Sequence, residues 1–120
     1  MYTGIDLVDV VRIQNAVEKT PGFLHKIFTE GEIAYSKSKK NPYPSLAVRF
    51  AAKEAVRKLN RKFQQGIPFT DIEVRNDEEG RPYIVLHDVA EAVMKDLKLT
   101  ALDVSLSHTD TQAVAVVLAY

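Results

Sequence analysis

From Ser45 to about Phe63 the chain carries apolar residues at helical spacing, and no other segment sustains a pattern this long. Ala, Leu, Lys, Glu and Arg supply good helix propensity there, and Ser45 is placed to cap the first turn. A helix of this length in a 120-residue chain predicts a core built around it, with shorter elements packed against its apolar face. That face runs through Ala47, Phe50 and Ala51 and then meets Glu54. Glu54 lies four residues after Phe50 and seven after Ala47, so it points the way they point.

The flanking segments predict the rest. Thr3 to Val8 is a β-branched apolar run interrupted by Asp6 and reads as a strand; Asp9 then opens a helix through about Lys19, which Thr20-Pro21-Gly22 ends. Thr29-Glu30-Gly31-Glu32 has the spacing of a capping box, and Lys37 to Pro44 reads as a loop. Phe69 to Val74 and Tyr83 to Leu86 predict a hairpin about the turn Asn76 to Gly80. Val89 to Leu97 has helical period, and Leu102 to Leu106 and Ala113 to Leu118 read as strands about the turn His108 to Thr111. The expectation is an α+β fold forming one domain over residues 1–120: a largely antiparallel sheet with a long central helix and shorter helices packed on it.

With 46% hydrophobic and 27% charged residues, disorder is excluded. The absence of Cys excludes disulfides, thiolate metal sites and a cysteine nucleophile, and favours a reducing, cytoplasmic setting. No basic segment precedes an apolar one at the N-terminus, and no apolar run nears the roughly 18 residues of a membrane helix, so neither a secretory signal nor a membrane role is expected. The 16 Lys+Arg and 16 Asp+Glu cancel overall but not locally. Residues 1–62 carry 12 basic and 6 acidic side chains, a balance of +6, and residues 63–120 carry 4 and 10, a balance of −6. Such polarity suits either solvated helix faces or an acidic partner on the basic side.

Asp6 in a strand and Glu54 on an inner helix face each risk burying a charge, which costs several kcal/mol unless it is paired or coordinated. A salt bridge to Arg49, Lys53, Arg57 or Lys58 is one solution. A shared divalent cation is the other, since magnesium is usually held by one or two carboxylates plus substrate phosphates. Lys58 follows Glu54 by four residues and shares its helix face, so a metal-bound phosphate would also meet an ammonium, as in phosphoryl transfer. No Gly-x-x-x-x-Gly-Lys-Ser/Thr loop is present, which sets aside an ordinary nucleotide-triphosphate hydrolase.

Five segments, in order, are Gly4-Ile5-Asp6-Leu7-Val8 with Arg12-Ile13, Arg49-Phe50-Ala51-Ala52-Lys53-Glu54-Ala55, Asp71-Ile72-Glu73-Val74, Gly80-Arg81-Pro82 and Ser105-Leu106-Ser107-His108-Thr109. Together they resemble the holo-acyl-carrier-protein synthases, the small phosphopantetheinyl transferases, over nearly the whole chain. The resemblance implies transfer of the 4′-phosphopantetheine arm of coenzyme A to a serine of apo acyl carrier protein, magnesium dependence, and a homotrimer with active sites between subunits. By position, Asp6 and Glu54 resemble the family's metal ligands, and Lys58 the lysine at the transferred phosphate. Arg49, Lys53, Gly80, Arg81, Pro82, Ser107, His108 and Thr109 resemble the groups around coenzyme A, and Arg12 and Lys26 basic positions that meet the carrier. A role in fatty acid biosynthesis follows from the same resemblance.

The segment Leu59 to Gly66 stands where the family usually shows a Gly-Thr-Gly type stretch, and Asp103 stands where many relatives have histidine. The first difference motivates an alternative, a coenzyme A-binding module without transfer activity. A nucleic-acid binder, suggested only by the charge polarity, is disfavoured by the absence of Trp and of an aromatic-studded basic strand.

Overall fold

The computed structural model describes residues 1–120. Strand β1 (Tyr2–Asp9) leads into helices α1 (Val10–Lys19), α2 (Phe23–Ile27) and α3 (Glu30–Lys37), then the long helix α4 (Tyr43–Arg57). A hairpin of β2 (Ile72–Asn76) and β3 (Pro82–Leu86), helix α5 (Asp88–Asp96), and strands β4 (Leu102–His108) and β5 (Gln112–Ala119) complete the chain. The α+β expectation holds, with one difference: the antiparallel strands form two sheets. β1, β5 and β4 make one in that order, and β2 and β3 the other.

Helix α4 lies on the three-stranded sheet across a seam of small side chains. Ala47, Ala51 and Ala55 from the helix and Ala113, Ala115 and Ala119 from β5 are all buried. Gly4 of β1 sits where a Cβ would fall 1.9 Å from the Ala55 carbonyl oxygen. The close approach is what excludes a side chain here and what brings the C-terminal end of α4 beside β1.

Because strand side chains alternate, Gly4, Asp6 and Val8 face the helix while Ile5 and Leu7 face outward, 58% and 62% exposed. Val116 adds to that outer apolar face.

Several boundaries shift for physical reasons. α4 begins at Tyr43, because Pro44 fits the first turn, where no amide hydrogen is needed. Ser45 is therefore inside the helix and does not cap it; its hydroxyl is 3.0 Å from Ser36 Oγ and accepts from Arg49 Nη1 at 3.0 Å. The helix ends at Arg57 and not near Phe63: Asn60 turns extended and caps a separate 3-10 turn, Arg61–Phe63, by accepting from the Lys62 amide. Asp9 precedes α1 without a side-chain cap, and the Val10 amide bonds the Thr111 carbonyl at 2.8 Å instead. Phe69–Asp71 is a 3-10 turn after Pro68, so β2 starts at Ile72. The Thr29–Glu32 capping box forms as expected.

Glu32 does more than cap. Its carboxylate also accepts from the Val74 amide at 2.9 Å and pairs with Lys53 Nζ at 2.8 Å, with both side chains fully buried. Lys53 completes its bonds at the Phe69 and Ile72 carbonyls. One buried ion pair thus ties α3, α4 and β2 together, with every remaining donor satisfied as such burial requires.

Candidate active site

Asp6 and Lys58 meet at the corner where β1 passes the end of α4. Lys58 Nζ donates to Asp6 Oδ1 at 2.8 Å and to the Ile5 carbonyl at 3.0 Å. The Asp6 side chain is 15% exposed and that of Lys58 49%, so the carboxylate is recessed and the ammonium is not. Glu54 stands one helical turn before Lys58, and its carboxylate is 3.7 Å from Arg57 Nε. Glu54 is partly exposed, on the rim of the helix face and outside the apolar stripe that the spacing suggested.

The donors at this corner are carboxylate oxygens. No group of three or more His, Cys, Asp or Glu side chains is close enough to enclose an ion. Two hard oxygen ligands, with the other positions left to water and phosphate, fit magnesium and not a thiolate- or imidazole-seeking metal.

Further along α4, Arg49 is 3% exposed and forms a wall of a cavity of about 530 Å³. Its Nη1 donates to Ser45, and its Nη2 to Asn76 Oδ1 at 2.6 Å; the guanidinium stacks 4.2 Å from the Tyr35 ring. Its buried Nε has no partner. Burial pushes the guanidinium below its ordinary value, against the attraction of Tyr35 and Glu32. It remains charged at neutral pH, as arginine does in proteins. Pro82 and His108 line the same cavity, with Lys39 on its rim. A recessed guanidinium beside an imidazole and an ammonium, with Asp110 as the one carboxylate on the lining, leaves the wall mostly cationic and suits an anion.

The other expected ligand residues divide. Gly80, at φ +84°, and Arg81 shape the hairpin turn, where the Asp77 carboxylate accepts from the Glu79 and Arg81 amides. Gly80 borders a neighbouring cavity of about 440 Å³ that shares Tyr35 and Asn76 with the first. Arg81 is exposed beside Asp103 across a third hollow. Three others lie apart from this cavity, and for Lys53 the expectation is corrected. Lys53 is fully buried on Glu32 and has no path to a bound molecule. Ser107 is exposed on the face of β4 opposite Leu106, which lines the cavity. Thr109 uses its hydroxyl within its own turn, accepting from the Thr111 and Gln112 amides.

Arg12 and Lys26 are both exposed, and the Arg12 guanidinium lies 5.8 Å above the Phe50 ring. Tyr35, Asn76 and Lys39 were not expected at the cavity. Lys39 reads as part of a solvated basic loop, and no sequence motif marks Tyr35 or Asn76.

Residues 2–117 match the family model described as the 4′-phosphopantetheinyl transferase superfamily. The chain belongs to that superfamily. Among its relatives, the holo-[acyl-carrier-protein] synthase of Caldanaerobacter subterraneus subsp. tengcongensis is 39% identical over 119 residues, covering 99% of this chain and 94% of that protein. That of Syntrophus aciditrophicus is 43% identical over 118 residues, covering 97% and 92%. The crystal structure of the Helicobacter pylori holo-[acyl-carrier-protein] synthase in complex with coenzyme A is similar at a TM-score of 0.80, with 31% identity over 98% of this chain and 99% of that one. A Bacillus anthracis holo-(acyl-carrier-protein) synthase in complex with CoA (3′,5′-ADP) is similar at 0.76, with 31% identity over 98% and 94%. The family resemblance carried by the five segments is thus borne out over nearly the full length.

Proposed function

We infer that the protein, acting as one domain over residues 1–120, transfers the 4′-phosphopantetheine arm of coenzyme A to a serine hydroxyl of apo acyl carrier protein. The observation that carries this reading is the meeting of Asp6 and Lys58 at 2.8 Å, an acid and an ammonium 52 residues apart in the sequence brought to one open corner. The similar synthase structures with coenzyme A bound support it.

In the reaction the serine oxygen attacks the phosphorus that bears the pantetheine arm. The bond from that phosphorus to the bridging oxygen breaks, and adenosine 3′,5′-bisphosphate leaves with the electron pair. Lys58 Nζ donates to a phosphate oxygen and offsets charge that builds there. Glu54 is placed on the same helix face, and its carboxylate receives the serine proton, directly or through water. Arg49 and His108 hold the nucleotide end in the larger cavity, and Pro82 forms its wall. A magnesium ion held by Asp6 and Glu54 would supply further neutralisation of the diphosphate.

The basic N-terminal half, with Arg12 and Lys26 exposed, suits an acidic carrier. The outward apolar residues Ile5, Leu7 and Val116 support self-association, which we assign to a homotrimer with sites shared between subunits. A cytoplasmic role in fatty acid synthesis accords with a chain that has no cysteine and no helix long and apolar enough to cross a membrane.

Intact-mass spectrometry tests the activity. Apo acyl carrier protein incubated with the protein, coenzyme A and magnesium is expected to gain the mass of phosphopantetheine, and to lose that gain with chelator or in Glu54→Ala. Binding of coenzyme A without any mass gain would establish the non-transferring module instead.

A further inference from the structure

The Asp6 carboxylate is already occupied by a cation of the chain itself. The Lys58 ammonium lies 2.8 Å from Asp6 Oδ1 and 3.0 Å from the Ile5 carbonyl, so a carboxylate and a carbonyl oxygen converge on it. Those are the oxygen types that a hard divalent cation takes. The ammonium is carried on a flexible four-carbon stem from the residue just past the last turn of α4, and half of the side chain is open to solvent. Glu54 is in a different condition. Its basic neighbour Arg57 stands off at 3.7 Å and is engaged elsewhere, 4.9 Å over the Phe69 ring and 3.5 Å from the Gln64 carbonyl.

We propose that Lys58 competes with the divalent cation for Asp6, and that coenzyme A relieves the competition by drawing the ammonium onto its diphosphate. This rests on the assignment of Asp6 and Glu54 as the metal carboxylates. With the ammonium on Oδ1 and the Ile5 carbonyl, a divalent cation drawn to the same carboxylate meets a positive charge a few ångströms away, and the repulsion disfavours the two occupancies together. With its ammonium side half exposed to water the pair costs little to open, so the ammonium moves readily once a better anion is offered. The metal therefore binds weakly to the free protein and more tightly after coenzyme A has arrived. By linkage, the metal raises coenzyme A affinity by the same factor. The site loads as a unit instead of holding a solitary ion.

Manganese(II), followed by the electron paramagnetic resonance of the free ion, tests this without reference to turnover. In the absence of coenzyme A, Lys58→Met is expected to bind manganese about two- to fivefold more tightly than the unaltered protein, the range that losing an exposed ion pair allows. Lys58→Gln should act in the same direction if Met disturbs the fold. Arg57→Gln removes an equal charge without vacating Asp6 and should change the affinity less. Saturating coenzyme A should strengthen manganese binding by a larger factor in the unaltered protein than in Lys58→Met. Equal tightening in the Lys58 and Arg57 variants would reduce the effect to general electrostatics and overturn the competition. No tightening in Lys58→Met, with binding still abolished by Asp6→Asn, would overturn it and leave the metal assignment standing. Binding indifferent to Asp6→Asn would overturn both.

Discussion

Asp6→Ala removes a recessed carboxylate and leaves Lys58 without its partner, yet touches no part of the buried core. Transfer is expected to fall by about 10²–10³-fold or more while the melting temperature stays within a few degrees, as discontinuous mass assays and calorimetry would read. Glu73 behaves differently. Burial favours the protonated form, but the His87 ring at 2.9 Å, the Thr29 hydroxyl at 2.8 Å and Arg75 outweigh that and hold the carboxyl below its ordinary value of 4.5. A carboxyl lowered in the folded state stabilises above its unfolded value and loses that contribution as the pH falls through the folded one. Glu73→Gln should therefore flatten the decline of the urea midpoint below about pH 4.5, and an unchanged slope would refute the role. Of the residues proposed to act at the corner, Asp6 was legible as a charge in an apolar strand and Lys58 by its spacing from Glu54, whereas Glu54 itself lies on the rim and not on the apolar stripe. Lys53 was not, since the sequence shows several basic residues on one helix and says nothing of which one finds a buried carboxylate 21 positions earlier. Ser107 stands on the face of β4 away from the cavity, because the parity of a strand turns on a single residue.

At the level of elements, the seam between α4 and β1 leaves no tolerance. Gly4→Ala would put a Cβ 1.9 Å from backbone at Ala55, and neither backbone segment can yield alone. The helix must lift from the sheet, which is expected to cost more than the ~1–3 kcal/mol of ordinary overpacking and to separate Lys58 from Asp6. A thermal melt and a transfer assay should therefore fall together; loss of stability with full transfer would show that the corner does not depend on the seam. The helix, the hairpin and the β4–β5 pair were readable from period and turn residues. Their ends were not, because Pro44 and Asn60 act through backbone geometry that hydropathy does not report. Glu32 is the clearest case of partial legibility: the capping box was evident, its second bond to β2 was not.

For the molecule as a whole, Ile5 and Leu7 form an exposed apolar row on the face of β1 turned away from α4. Under the proposed homotrimer, Leu7→Glu should give a monomer, seen as a smaller mass in light scattering, and should reduce transfer if neighbouring subunits share sites. A monomer with undiminished transfer would exclude shared sites. Arg12→Glu should raise the apparent KM for carrier protein several-fold with little change for coenzyme A, in a manner that weakens as salt is added. Equal effects on both substrates would remove Arg12 from the docking face. The separation of the strands into two sheets was hidden from the sequence, because strand order depends on pairings far apart along the chain.

The sealed position of Lys53 also makes it a chemical clock. Its ammonium is shut from solvent by contacts on three elements, while the other nine lysines are partly or wholly accessible. An amine-acylating reagent should modify those nine at rates set by their own exposure, and Lys53 only when α3, α4 and β2 come apart together. The lag of that single adduct behind the rest would measure, in the intact protein, how often the molecule opens as a whole.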